Sequence, residues 1–234
     1  MGGITSIGRT EDCALWRVDL DAPDALQWQS LLSDAERARA ARFVFERDRL
    51  RYRAAHGALH HLLECHAGAG IAARGFAEGE FGKPFLRERP DVAFNLSHSQ
   101  SVALVAIGVG AIGVDVELMR PMEDMPALAA AHFTAAEQQA LASAEPAQQS
   151  RVFLQIWTRK EACVKALGAG LSIDTRSIHV GAAGAPMRVD AGSRGTLTLS
   201  SFDAGPDAIA SVARVVTTHA VPEGQGQRAA EVCA

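Results

Sequence analysis

Two carboxylates, Asp115 and Glu117, stand two residues apart in the run Val114-Asp115-Val116-Glu117-Leu118. Alternation with aliphatic residues predicts a strand with Val114, Val116 and Leu118 toward the core. Both acids then share the other face, about 6–7 Å apart. Like charges that close repel unless a cation or a basic side chain lies between them. The pair reads either as a solvated strand face or as oxygen ligands of a hard divalent cation, Mg²⁺.

A second group lies on a predicted helix running from about Gln148 to Leu167 and stopped by Gly168-Ala169-Gly170. Phe153, Ile156, Trp157, Val164 and Leu167 form its apolar stripe at the 3.6-residue period. Lys160 falls inside that stripe, where an ammonium needs a partner or a path to water. Glu161 and Lys165 lie one turn apart on the adjoining face. They form either a surface ion pair or a third metal carboxylate beside a phosphate-binding lysine. Three carboxylates on one Mg²⁺, with an ammonium at hand, suit a pyrophosphate substrate, because metal and lysine share its anionic oxygens. Lys83 in a Gly-Lys-Pro turn and Ser97-His98 at a strand end supply further donors. Arg39 and Arg51 on the first helix add positive charge, though solvation is the default on so arginine-rich a surface. Glu137 completes a capping box with Thr134, which explains it without catalysis, and a general base is the alternative.

Other inviting motifs fail on mechanism. Gly108-Val109-Gly110-Ala111-Ile112-Gly113 matches a dinucleotide fingerprint, but a strand rather than a helix follows, so it reads as a hairpin turn. Gly82-Lys83-Pro84 lacks the hydroxyl residue of a phosphate-binding loop. Ser97 and His98 are strand neighbours pointing to opposite faces and cannot form a dyad. His56, His60, His61 and His66 share a helix without a third metal ligand, and read as a solvated or partly stacked face.

The elements that position these residues can be read in order. A strand covers 14–20, and Ser33 with Glu36 opens a long helical pattern to about Cys65. Strands follow at 92–97, 102–107 and 112–118, and Pro121 and Pro126 mark a boundary. A helix starts at Thr134 and another at about Gln148, and strands at 197–202 and 208–216 close the fold. Helix then hairpin, twice, predicts two similar α+β halves, 1–118 and 119–220, with 221–234 a disordered tail.

The 234 residues are 48% hydrophobic and 21% charged, which excludes intrinsic disorder. A net charge of −4 argues against a nucleic-acid partner. No apolar run is long enough to span a membrane, and the N-terminus lacks a basic-then-apolar leader. Four scattered cysteines without a Cys-x-x-Cys agree with a cytoplasmic setting.

Gly82-Lys83-Pro84-Phe85-Leu86, the run 94–99 (FNLSHS), Gly113-Val114-Asp115-Val116-Glu117 and the run 157–171 (WTRKEACVKALGAGL) together resemble the Sfp-type 4′-phosphopantetheinyl transferases, in that family's order and at compatible spacings. The resemblance implies a monomeric α+β pseudo-dimer with coenzyme A in the cleft between its halves. It implies Mg²⁺ on Asp115, Glu117 and Glu161, with Lys165 on the phosphates. Lys83, Ser97, His98, Arg51 and Arg39 would hold the phosphates and 3′-phosphate of coenzyme A. Glu137 matches the family's proposed base. The implied reaction moves 4′-phosphopantetheine to a serine of an apo acyl or peptidyl carrier protein, acidic near that serine, and releases adenosine 3′,5′-bisphosphate.

Two positions depart from the pattern: Glu36 stands where some members carry a lysine, and Tyr52 where a small hydroxyl residue occurs. The alternatives are a protein that binds coenzyme A or carrier without transfer, and a metal-dependent nucleotide phosphohydrolase.

Overall fold

Alternating apolar residues and tight turns build two four-stranded antiparallel sheets, each covered by one long helix, and one two-stranded sheet. The computed structural model describes residues 3–10, 12–71, 75–205 and 207–216, so the expected tail 221–234 lies outside the described residues. Its contacts divide the chain into two units. The first comprises the described residues up to Glu78 together with Pro84–Val109, the second Gly79–Lys83 and the described residues from Gly110 onward.

In the first unit, β1 (Ile4–Thr10) and β2 (Cys13–Asp19) precede α1 (Asp34–Ala40) and α2 (Glu46–Ala67). The short strands β3 (Ala77–Glu78) and β4 (Pro84–Phe85) follow, then β5 (Ala93–Ser99) and β6 (Val102–Gly108). The main sheet has the order β1-β2-β6-β5, antiparallel throughout. Leu59, Leu62 and Leu63 of α2 pack with Trp16, Val18, Val105 and Ile107 of the sheet.

The single long helix expected after Ser33 is two helices. Ser33 does cap α1, with its Oγ accepting the Glu36 N–H and Glu36 accepting the Ser33 N–H. The chain then breaks at 41–45, where Phe43-Val44-Phe45 has weak helix preference. Phe43 turns onto the Tyr52 ring, 5.4 Å away, and Phe45 takes extended geometry before α2 starts.

The second unit contains β7 (Ile112–Leu118), α3 (Met125–His132), α4 (Ala135–Ala142), α5 (Gln149–Leu167), β8 (Met187–Asp190), β9 (Thr196–Asp203) and β10 (Ala208–Val215). Its sheet has the order β7-β10-β9-β8, also antiparallel. Phe153, Leu154 and Ile156 of α5 pack with Val189, Leu197, Leu199 and Ile209.

Three expectations change here. The boundary placed after Leu118 falls at Val109/Gly110, because β7 pairs with β10 and not with β6. For the same reason the Gly108–Gly113 turn is not a hairpin: it leads from one sheet into another. Pro126 does not end structure but sits in the first turn of α3, where its missing N–H costs nothing.

Candidate active site

Asp115 owes its position to a glycine two residues before it. An added Cβ at Gly113 would lie 2.1 Å from Ala162 O and 2.3 Å from Ala166 N, so the α5 backbone rests directly on β7 at that point. Gly113, Asp115 and Glu117 share one strand face, and that face is the one α5 crosses. The valines are buried as expected, and of the two readings of the acid face the solvated one does not hold at Asp115. Asp115 is only 5% exposed, and Val114 and Val116 on the opposite face are buried as well.

Lys165, on the last turn of α5, reaches across to Asp115, with Nζ 2.6 Å from Oδ1. Lys165 thus pairs with the strand carboxylate and not with Glu161 along its own helix. Glu161, half-buried one turn earlier, makes no hydrogen bond or ion pair among the described residues. Glu117 is paired with Arg120 at 2.7 Å.

A polar seam continues beneath α5. Ser211 of β10, opposite Asp115 in the register, lies 3.0 Å from Thr158 Oγ1 and 2.9 Å from Ser201 of β9. Arg159, fully buried, donates to Ser201 Oγ and to the carbonyls of Val180 and Ala185. Sequence reasoning passed over Arg159. The signal was available, since it stands three residues after Ile156 and one before Lys160 on a helix with a buried face.

Among the described residues no group of three or more acidic, histidine or cysteine side chains is gathered as a metal cage. The three expected ligands are brought to one strand face and the adjoining helix, but Asp115 and Glu117 are each neutralised by an internal cation. The donor set itself, oxygen only and free of soft ligands, fits a hard dication such as Mg²⁺.

Two expected site residues have other employment. Glu137 caps α4, accepting the Thr134 N–H at 2.8 Å, and its other oxygen accepts the Val180 N–H at 2.7 Å. Lys160 Nζ completes the shell at 2.8 Å and donates also to the carbonyls of Thr175 and Ile178. Burial opposes the charge on Glu137, but the bonds from Lys160, Val180 and Thr134 outweigh it and hold the carboxyl below its ordinary range. The Glu137 side chain is wholly enclosed and both its oxygens are engaged, the arrangement that the capping reading expects. Lys83, expected on phosphate, instead donates to the main-chain carbonyls of Ile112, Lys165 and Ala166.

In the first unit, Arg51 forms a two-point ion pair with Asp21, Nε to Oδ1 at 2.8 Å, so its fork is already engaged. Arg39 is exposed, its guanidinium 5.8 Å from the Tyr52 ring centroid. Ser97 is buried and His98 exposed, on opposite faces of β5 as alternation requires. The histidine face of α2 is not a solvated one. His60 is fully buried and, with His56, hydrogen-bonds Glu36 at 2.8 and 3.1 Å. Their rings stack on Phe76 and Tyr52.

Known proteins resemble this chain in sequence. A family model described as the 4′-phosphopantetheinyl transferase superfamily matches residues 111–212, the second unit almost entire. The 4′-phosphopantetheinyl transferase HetI of a Nostoc species is 38% identical over 170 residues, covering 70% of this chain and 71% of the relative. A 4′-phosphopantetheinyl transferase of Bacillus subtilis is 36% identical over 112 residues, 48% of each chain. The 4′-phosphopantetheinyl transferase AcpT of Salmonella typhimurium is 42% identical over 91 residues, 38% of this chain and 47% of the relative.

Proposed function

The chain belongs to the 4′-phosphopantetheinyl transferase superfamily and is an enzyme of that class; we propose that its donor is coenzyme A and its acceptor a serine of an apo acyl or peptidyl carrier protein. The serine oxygen attacks the β-phosphorus of the donor and gives its proton to solvent water, the bond from that phosphorus to the bridging oxygen breaks, and adenosine 3′,5′-bisphosphate leaves with the bridging oxygen. The observation that carries this reading is the Asp115–Lys165 contact, with Glu161 one helical turn away. It concentrates hard oxygen donors and an ammonium on a single patch of the second unit.

Asp115, Glu117 and Glu161 are the residues that would hold Mg²⁺, which when bound supplies charge neutralisation for a diphosphate. Lys165 is the residue that binds and orients the phosphates, exchanging Asp115 for a phosphate oxygen. Transfer of this kind depends on positioning and charge stabilisation more than on covalent chemistry by the protein. Glu137 takes no part in moving the proton. It supports the site from below, through Lys160 and the main chain at 175–180.

Incubation with coenzyme A, Mg²⁺ and a panel of apo-carrier proteins, followed by mass spectrometry of the carriers, tests the reading. A gain of one phosphopantetheine on a carrier serine is expected. Binding of coenzyme A with no gain on any carrier would make the protein a binder. Diphosphate cleavage without a carrier would make it a hydrolase.

A further inference from the structure

The hydrogen bonds of Lys83 all go to main-chain carbonyls. Its Nζ lies 2.8 Å from Ile112 O, 2.7 Å from Lys165 O and 3.3 Å from Ala166 O. An ammonium has three N–H donors and no acceptor. Three carbonyls therefore account for all of them, and none remains for a phosphate oxygen.

The identity of those carbonyls matters. Lys165 and Ala166 belong to the last turn of α5, where carbonyls lack i+4 partners and the helix end carries partial negative charge; Lys165 O also accepts the Gly168 N–H at 3.2 Å. Gly168, left-handed at φ 64°, closes the helix, and an added Cβ there would sit 3.3 Å from the Lys83 stem. Ile112 is the first residue of β7. One side chain thus ties the end of α5 to the beginning of β7. Lys165 is held twice, its carbonyl by Lys83 and its ammonium by Asp115.

We propose that Lys83 is a positioning residue, which sets the register of α5 on β7 and through it the placement of Lys165 and Glu161 beside Asp115, without touching the donor's phosphates. Burial pushes its ammonium down to about 8. No carboxylate makes an ion pair with it among the described residues, so the carbonyl bonds alone retain the charge. Of the packed elements, α5 carries the charged groups Arg151, Arg159, Lys160, Glu161 and Lys165 and β7 carries Asp115 and Glu117, with Glu80 on the loop of Lys83 itself.

As a statement about catalysis the inference rests on the proposed transfer, so its test includes a readout that needs no turnover. In Lys83→Met, hydrogen exchange at the amides of residues 112–116 and 164–168 should accelerate by about tenfold or more, and Lys83→Arg should restore most of the protection. In the carrier assay, Lys83→Met should lower kcat by about tenfold or more while KM for coenzyme A stays within about twofold. Lys83→Arg should recover kcat. Should Lys83→Met not melt cooperatively, Lys83→Gln, which keeps two donors, takes its place.

Unchanged exchange in the Met variant, or an Arg variant no better than it, overturns the inference. So does a rise in KM with kcat retained, which is the mark of a phosphate contact. A wild-type protein that loads no carrier overturns the activity reading alone and leaves the exchange result to decide the register.

Discussion

Glu137 Oε2 and Lys160 Nζ lie 2.8 Å apart with side chains at most 3% exposed, joining α4 to α5 inside the second unit. Removing one member of such a pair strands the other in a medium that cannot solvate it. Glu137→Gln should cost about 3–5 kcal/mol of stability, read by urea denaturation. The double variant Glu137→Leu/Lys160→Met should recover much of that. A variant that melts like the wild type but transfers slowly would return Glu137 to the chemistry.

Gly113→Ala places a methyl where the α5 main chain already lies. Neither side can yield by a rotamer change, so the helix must move. A loss of about 1–3 kcal/mol or more is expected, together with lost transfer. Equal melting temperatures for variant and wild type would contradict the close approach.

Glu161→Gln breaks no hydrogen bond or ion pair among the described residues. Its stability should match the wild type within about 0.5 kcal/mol, as for ordinary surface changes. Carrier loading should fall by about a hundredfold or more if the carboxylate serves the diphosphate site. Near-normal loading would remove Glu161 from the ligand set.

Acid stability should depend on Glu36. Burial works to raise its pKa, yet the hydrogen bonds from His56 and His60, the charge of His60 and the Ser33 N–H together hold it well below the ordinary 4.5. A depressed carboxyl stabilises the fold fully above its unfolded pKa and ceases to do so as pH falls toward its folded one. Stability measured from pH 6 downward should therefore decline below about 4.5, and Glu36→Gln should flatten that limb. An unaltered acid limb would show that the cluster is not the one titrating.

Local features of this chain were more legible than its long-range packing. Spacing alone singled out Asp115 and Glu117 as paired acids on a strand, and Glu161 and Lys165 as an acid and a lysine one turn apart on a helix. Capping boxes at Ser33 and Thr134 also form as read. Partners were not legible, since they come from distant segments: Glu137 meets Lys160 across 23 positions, and Lys83 meets Ala166 across 83. The helix break at 41–45 and the short strand β8 were missed because local preference there is weak and tertiary contact decides.

Where α5 lies on Gly113, main chain touches main chain with no side chain in between. The gap at that spot is set by atoms every residue shares, not by the bulk of the apolar groups filling the remainder of the interface. Any side chain at position 113 would have to push the helix off the strand at that spot, and the lysine and acids above would move with it.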